Sequence, residues 1–594
     1  MCGILGIINN NQVSVQEFEI MLEELKKRGP DNFSIEILNN ENTILGHTRL
    51  SILDLSSLAN QPMKDVSGRY WITYNGEIYN FKKIKEKLEK IGYTFITNAD
   101  TEVVLYGFIE WGPKITEIID GIFSFGIWDN LEKTLFLVRD PIGVKPLYYG
   151  EVANQFIFSS QLKPIYKLPN FQIEVSFEAL AEYMSVGYIG KEKSILKNFN
   201  KLKPGHYLIY NQNKIKIEKY WEIIFKPEIF SFKEAVEEVD FTLNEIIKEQ
   251  LISDVPVGLF LSGGIDSGLI ASYASKNDSG NLASLTLGFE GKQNDERSEA
   301  IQLSKKVNLK NYNFILTKKI GLCAIEDFYK VLDEPFFDLS VIPTTYISEI
   351  ASNSGFKVIL AGDGGDELFA GYPRYLNPFY DTSGRKNKII KFLKNSFISS
   401  KKIEINDQYI NRMTFFSNDE ISKLINFEFN IKPNAILLDN LKLSLSPPTN
   451  FQLLDFETYL PDDLLAKVDR SSMYHGVEVR VPFLDKKMVN LAFKIDPNLH
   501  LYQGKLKAIL NEIANSKFKL DKNSSKKRGF SIPLNNWLKE PELKHLIFEL
   551  ENGTLFNLGI LNIDYFKHIK SSLSINQLWI LVSLELWSKK YLKN

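Results

Sequence analysis

Two cysteines occur in 594 residues, and one of them is residue 2 of MCGILGI. Once Met1 is removed, Cys2 carries a thiol and a free α-amine on one residue. A nucleophile beside its own terminal amine is a self-contained catalytic pair. The plain alternative is a tolerated small residue. A second chemical signal is SGGIDS, Ser262 to Ser267, between the apolar stretch VGLFL and the helical pattern DSGLIASYASK. Gly263 and Gly264 permit a tight turn that brings backbone N–H groups close to an anion, and Ser262 and Ser267 add hydroxyls. The helix N-terminus that follows adds partial positive charge. Such a loop suits a phosphate or pyrophosphate. Asp266 beside phosphate implies an intervening cation, so it reads as a Mg2+ ligand. No Gly-Lys-Ser/Thr follows, which excludes a Walker loop. The third signal is AGDGGDELFAGY, where Asp363, Asp366 and Glu367 crowd together in Gly-rich backbone. Such carboxylates repel one another unless a cation or protons compensate.

These residues must be held by regular elements. Up to Tyr220-Trp221 the chain reads as short β-rich stretches broken by Gly, Asn, Asp and Pro, among them ENTILGHTRLSILD, RYWITYNGEIYN and GIFSFGIWDN. VQEFEIMLEELKKRG and FKKIKEKLEKIG are amphipathic helices. Clustered strands with a few helices predict a layered α+β domain. After Trp221 strands alternate with helices: VGLFLSGG, DSGLIASYASK, LASLTLGF, RSEAIQLSKKVN, YNFIL and KVILAGDGGDELF. That alternation predicts βαβ units and a parallel sheet, with both Gly-rich loops at carboxyl ends of strands, where ligands bind in such sheets. From about residue 390 the patterning predicts mostly helices.

The length requires two domains or more. A net charge of −2 gives no basic field, which argues against a nucleic-acid partner. No apolar run is long enough to cross a bilayer, and the start lacks a signal-peptide pattern. Two cysteines cannot build a disulfide framework, so the expected location is cytoplasmic. Cys323 lies in an apolar helical context and is expected to be a buried small residue. The tract DKNSSKKRGF reads as a solvated charge run.

MCGILGI, KRGPD, GHTRLSI, YNGEIYN, NADTEV, SGGIDS, LDEPF, GDGGDELFAGY, KVDRSSM, VEVRVPFLD and KRGF follow one another in order. The series resembles the glutamine-hydrolysing asparagine synthetase family over nearly the whole chain. The resemblance implies an N-terminal nucleophile (Ntn) amidohydrolase domain over 2–220, a sandwich of sheets between helices. It further implies a synthetase domain of the adenine-nucleotide α-hydrolase kind over 221–594, with a helical C-terminal part. Cys2 then corresponds to the glutaminase nucleophile. Arg49 would pair with the α-carboxylate of glutamine, and Asp100, helped by Glu77, would hold its α-ammonium. Asn75 and the Gly76 N–H would form the oxyanion hole. Leu50, Ser51, Ile52 and Leu53 complete the implied glutamine site. In the synthetase half, Ser262, Gly263, Gly264, Asp266 and Ser267 would cradle the ATP phosphates. Leu261, Leu287, Ala361 and Gly362 match positions that line the nucleotide site. Asp366 would share Mg2+ with Asp266, and Lys507 in GKLKAIL would stabilise charge on the intermediate or on pyrophosphate. Lys507 as a solvated helix lysine is the plain alternative.

The chain departs from the family pattern at four places. Asp363 stands where many members carry Glu, Lys27 replaces a usual His, Ala99 a usual Ser, and Gln161 a usual Glu. None removes a reacting group, and Asp363 keeps its charge on a shorter arm. The implied activity is ATP-dependent amidation of L-aspartate through an acyl-adenylate, fed by ammonia from L-glutamine. The alternative is amidation of another carboxylate, such as a sugar acid of surface polysaccharide. From other classes, a non-catalytic regulator or a ligase fed by free ammonia remains as a competing reading. The resemblance also suggests a homodimer.

Overall fold

A computed structural model of the chain describes residues 2–592 apart from 40–41, 278–281, 292–294, 377–398, 430–431, 443–444, 446, 519–531 and 533–539. Met1 and the whole of DKNSSKKRGF therefore lie outside the described residues.

The first half forms twelve strands: β1 (Cys2–Ile8), β2 (Asn32–Leu38), β3 (Thr43–Arg49), β4 (Met63–Lys64), β5 (Tyr70–Ile78), β6 (Gly121–Asp129), β7 (Thr134–Arg139), β8 (Tyr148–Val152), β9 (Gln155–Ser159), β10 (Phe199–Lys201), β11 (His206–Asn211) and β12 (Lys214–Lys219). They pair antiparallel in two six-stranded sheets, ordered β10-β8-β9-β1-β3-β2 and β12-β11-β7-β6-β5-β4. Strand side chains alternate between faces. Ile4 and Ile8 of β1 thus join Trp128 and Leu137 of the second sheet in one core. Leu5 and Ile7 point the other way, onto Phe18 and Leu22 of the helix Val15–Glu23. Gly6 leaves room for Phe158, whose ring a Cβ there would meet at 2.2 Å. The outer face of the second sheet carries Phe123 and Phe125 against Ile84, Leu88, Val103 and Val104 of the helices Phe81–Lys90 and Asp100–Trp111. The result is helix, sheet, sheet, helix, as the resemblance implies.

The second half builds a parallel sheet from β13 (Val257–Phe260), β14 (Ala283–Phe289), β15 (Lys310–Leu316), β16 (Val358–Leu360) and β17 (Glu478–Arg480). Its order is β15-β14-β13-β16-β17. The chain runs outward from β13 to β15 and returns on the other side at β16. The reversal lies between β13 and β16, so the loops that leave these two strands stand side by side. SGGIDS follows β13 and AGDGGD follows β16.

From about residue 390 the described residues are mostly helical, as expected, with one short strand among them: VEVRV supplies β17, which pairs with β16. Three residues between helices are too short for a periodicity to register. Cys323 is exposed, not buried. On the helix Lys318–Glu326, Leu322 and Ile325 face the core, and Cys323 falls on the opposite side.

The two halves meet through buried charges. The Arg28 guanidinium forks onto Asp469 at 2.8 and 3.1 Å, and its Nε donates to the carbonyl of Cys2 at 3.0 Å. Lys145 lies 3.8 Å from the same carboxylate. Burial favours the neutral Asp469 carboxyl, but Arg28 and Lys145 hold it down at about 2. Arg470 binds Asp333 at 3.2 Å and Tyr148 Oη at 3.1 Å. Lys201 meets Asp462 at 3.0 Å, and Lys486 meets Asp120 at 2.8 Å. Removing one partner leaves a buried charge uncompensated. Asp469→Ala is therefore expected to cost about 3–5 kcal/mol of stability, read as a lower urea midpoint. Arg28→Ala with Asp469→Ala should lose clearly less than the sum of the single changes, and additive losses would refute a paired role.

Candidate active site

The register of β1 against β3 sets Cys2 opposite Arg49. Leu45, His47 and Arg49 alternate onto the inner face of β3. His47 Nε2 lies 3.0 Å from the Tyr74 carbonyl of β5, which fixes the ring between the sheets. Cys2 is 5% exposed. Its N–H donates to Asn75 Oδ1 at 2.9 Å. Burial pushes the thiol up, but the charge of His47, the terminal ammonium and hydrogen bonds from His47 and Leu50 draw it down to about 6. A thiolate at neutral pH is the nucleophilic form.

Cys2, Arg49, Leu50, Ile52, Leu53, Gly76, Glu77 and Asp100 line one small pocket. Ser51 is turned aside, with its N–H donating to Asp31 at 2.7 Å. Arg49 is held by carbonyls of the loop that follows β3: Nη1 donates to Ser56 at 2.8 Å, and Nη2 to Leu53 at 3.2 Å and to Asp54. Asn60 Oδ1 takes a further bond from Nη1 at 2.8 Å. These partners are neutral, so the guanidinium charge is left for an anion. At the other end Asp100 accepts from Tyr74 Oη at 2.7 Å and from the Ile78 N–H at 2.9 Å. Burial raises its carboxyl, and these two bonds oppose the rise. Burial raises Glu77 further, against the pull of Arg480, which reaches it at 3.4 Å. Gly76 admits no side chain, because a Cβ would stand 2.4 Å from the Ile122 carbonyl. One cation, two carboxyl groups and a thiol in one pocket match an α-amino acid whose side chain reaches the thiol. The Asn75 amide nitrogen reaches Ser124 Oγ at 3.4 Å, and Asn75 sits behind Cys2 rather than on the pocket wall.

The second centre lies at the β13/β16 reversal. Ser262 and Ser267 hydroxyls are 3.0 Å apart, and the Gly264 N–H donates to Ser262 Oγ at 3.1 Å. Asp266 packs under the second loop: a Cβ on Gly362 would lie 3.0 Å from its Cβ, and one on Gly365 2.8 Å from its Cγ. Lys507 is 7% exposed and stands between two carboxylates, paired with Asp266 and 2.7 Å from Asp366. It precedes the helix Ala508–Phe518 with φ of +49°, so it is not a solvated helix lysine. Leu261, Leu287 and Ala361 are buried around the loop. The Leu261 N–H bonds the Leu285 carbonyl at 2.9 Å, which ties the loop to β14. Asp363 is half-buried and acts electrostatically on Lys467. No cluster of three or more His, Cys, Asp or Glu side chains poised for a metal occurs among the described residues.

One residue joins the two centres. The Arg480 side chain contacts Glu77 and Glu478, and its carbonyl accepts the Ala361 N–H at 2.9 Å. Arg480 and Glu478 were recognised only as parts of a motif. His47 was passed over, although strand parity with Arg49 would have put it on the same face. Tyr74 and Gln61 were missed as well: Gln61 accepts from the Tyr74 N–H at 2.7 Å and donates to Thr101 at 3.1 Å. No local pattern marks such supports, because their partners are distant in sequence.

The geometry can be set beside known proteins. A family model described as a glutamine amidotransferase domain matches residues 1–221, and one described as asparagine synthase matches residues 238–589. The chain is 32% identical over 565 residues to asparagine synthetase (glutamine-hydrolyzing) 1 of Bacillus subtilis, covering 91% of this chain and 88% of that protein. A second B. subtilis protein, asparagine synthetase (glutamine-hydrolyzing) 3, is 28% identical over 539 residues, with 86% and 84% covered. Amidase chry2 of Gibberella zeae is 25% identical over 631 residues, with 95% and 93% covered. With two family models in tandem and a relative matched over most of both lengths, the chain belongs to the glutamine-hydrolysing asparagine synthetase family.

Proposed function

We propose that the protein converts L-aspartate to L-asparagine with ATP, using glutamine as the nitrogen source. The observation that carries the reading is the pairing of two centres through Arg480: a thiol pocket with amino-acid recognition, and a phosphate loop with Asp266, Asp366 and Lys507.

In the first centre the Cys2 thiolate attacks the glutamine amide carbon. The N–H of Gly76, which lines the pocket, receives the charge that develops on oxygen, and Asn75 behind Cys2 holds the Cys2 nitrogen instead of supplying the second donor expected of it. The α-amine exposed by loss of Met1 gives a proton to departing ammonia, which leaves a glutamyl thioester that water hydrolyses to glutamate. Arg49 and Asp100 hold the two ends of the amino-acid group. In the second centre the loop 262–267 holds the ATP phosphates. An acceptor carboxylate oxygen attacks the α-phosphorus, forming an acyl-adenylate and releasing pyrophosphate. Ammonia then displaces AMP to give the amide. Transfer along the seam between the domains keeps ammonia from being protonated in bulk water. Asp266 and Asp366 are the residues that would hold Mg2+, which takes one or two carboxylates along with phosphate oxygens. Asp266 Oδ1 is buried with no hydrogen-bond partner among the described residues, which fits an added cation. Bound there, Mg2+ supplies neutralisation of phosphate charge. Lys507 supplies positive charge at the same place.

The second reading, amidation of a different carboxylate, is favoured by one observation: Asp363 carries its charge on a shorter arm than the Glu of the resembled pattern. A product assay separates the two. Protein whose intact mass shows loss of Met1 is mixed with Mg-ATP, glutamine and L-aspartate. Asparagine and AMP appearing together, and only with aspartate, support the first reading. Glutamate release without AMP or asparagine supports the second.

Three outcomes are expected of variants and pH. Cys2→Ala abolishes glutamine-dependent amide formation and spares ammonium-dependent formation; loss of both in a folded protein would sink the two-centre account. Lys507→Met lowers amide formation from either nitrogen source by about 10²–10³, while glutamate release from glutamine persists. The alkylation rate of Cys2 by iodoacetamide rises with pH through about 6 and levels off above 7, because the thiolate is already formed there. A rate still climbing from pH 8 to 9 would contradict the lowered thiol.

A further inference from the structure

Two of the four departures from the family pattern take no part in either centre, and they line one cleft. Lys27 stands for a usual His and Gln161 for a usual Glu, so one change adds positive charge and the other removes negative charge. The cleft has a volume of about 1060 Å³ and lies where the domains meet. The first domain contributes Lys27, Gln161 and Lys163, and the second contributes Tyr474 and Lys590.

Lys163 is 9% exposed, and its Nζ donates to the Lys330 carbonyl at 2.6 Å. Its ammonium stands 5.4 Å from the centre of the Tyr474 ring, and that of Lys27 stands 5.7 Å from the same centre. An aromatic face attracts a cation but does not neutralise it. The carboxylates around the cleft are mostly engaged elsewhere: Glu24 lies 3.8 Å from Lys167, and Glu23 meets Lys26 at 2.7 Å. Arg28 and Arg470, which border the cleft, are likewise engaged on Asp469 and Asp333, and Lys330 on Asp327 at 2.8 Å. Lys27, Lys163 and Lys590 have no ion-pair partner among the described residues, and Glu19 at the exposed rim is the one lining carboxylate in the same condition. Two positive charges are thus in excess. Burial draws Lys163 down to about 8, although Asp333 and Glu24 lie near enough to oppose it. An anion beside it would restore its full charge. Gln161 is 4% exposed, and its side-chain amide has no hydrogen-bond partner among the described residues. Buried donors without acceptors are costly to maintain, and a ligand that brings the acceptors removes the cost.

Two negative charges on one compact group are what a phosphate monoester carries near neutral pH, and lysines bind phosphate as point charges. The remaining wall is apolar: Phe171 and Ile173 line it, beside Ile20, which is 58% exposed. A bare inorganic ion would leave that wall and most of the volume unused, whereas clefts of this size take small organic molecules. We propose that the cleft binds a small organic phosphate, with its phosphate on Lys163 and Lys27 and its carbon part on Phe171 and Ile173. The site is separate from the thiol pocket, with which it shares no lining residue, and from the loop 262–267. Lys590 and Tyr474 bring the second domain to the same ligand. An occupant therefore bridges the domains next to Arg28 and Arg470, and reinforces their docking.

The experiment treats the full chain with pyridoxal phosphate, an aromatic phosphate whose aldehyde condenses with a lysine amine to an imine and releases water. Borohydride then reduces the imine to a stable secondary amine, and peptide mapping locates it. The label is expected on Lys163, Lys27 or Lys590, and excess inorganic phosphate should protect them. Pyridoxal, which lacks the phosphate, should label these lysines at least about tenfold less. Lys27→Glu changes an exposed side chain and should lower labelling of the cleft by about tenfold. Its glutamate release from glutamine should stay unchanged, which reports that the variant is folded. Label spread evenly over surface lysines overturns the proposal, as does label confined to Lys507. Equal labelling by pyridoxal, no protection by phosphate, or undiminished labelling of Lys163 in a folded Lys27→Glu protein overturns it as well.

Discussion

The geometry of the whole molecule turns on Arg28. Its Nε holds the carbonyl of the nucleophilic residue and its two terminal nitrogens hold Asp469 of the other domain, with the side chain 2% exposed. A buried ion pair is a weak source of net stability, since desolvation offsets the Coulomb gain. It is strict about direction, because a guanidinium fork tolerates little rotation before it loses one of its bonds. The pair therefore acts as a register pin. A wrong docking of the domains leaves Arg28, Lys145 and Asp469 buried without partners, and that is far costlier than a slip between two greasy faces. Two centres that must pass a small, diffusible product need such a pin more than they need additional apolar area.

Given fixed docking, the position of each centre follows from sheet geometry. In the first domain the nucleophile gains its surroundings from parity: Cys2, His47 and Arg49 share an inner face because they are two apart along a strand or directly paired across one. In the second domain it follows from strand order. The reversal between β13 and β16 opens the only kind of gap in a parallel sheet where two loops can face one ligand. β17 then binds the two arrangements together. Its Arg480 lends positive charge to Glu77 in the thiol pocket, and its backbone supports the loop after β16.

Much of this was legible in the sequence because it is local. The layered α+β half, the parallel-sheet half, both Gly-rich loops and Cys2 announce themselves by residue type and near neighbours, whereas Arg49 and Asp100 are implied by the family resemblance alone. What stayed hidden is nonlocal. His47 matters through the Tyr74 carbonyl and the Cys2 thiol, and Gln61 through Tyr74 and Thr101, none of which a window of sequence contains. β17 was too short to show a period. Cys323 was misjudged because an apolar neighbourhood along the chain does not fix which side of a helix a residue occupies. Lys507 looked like one lysine among many, and only its place between Asp266 and Asp366 sets it apart.

Charge balance is the thread that connects these nonlocal residues. The thiol pocket places a cation at one end and two buried carboxyl groups at the other, and Arg480 from the second domain offsets the excess. The phosphate centre does the same with Lys507 between its two aspartates. In both, a protein cation relieves part of the carboxylate repulsion and leaves the remainder to be met by substrate or metal.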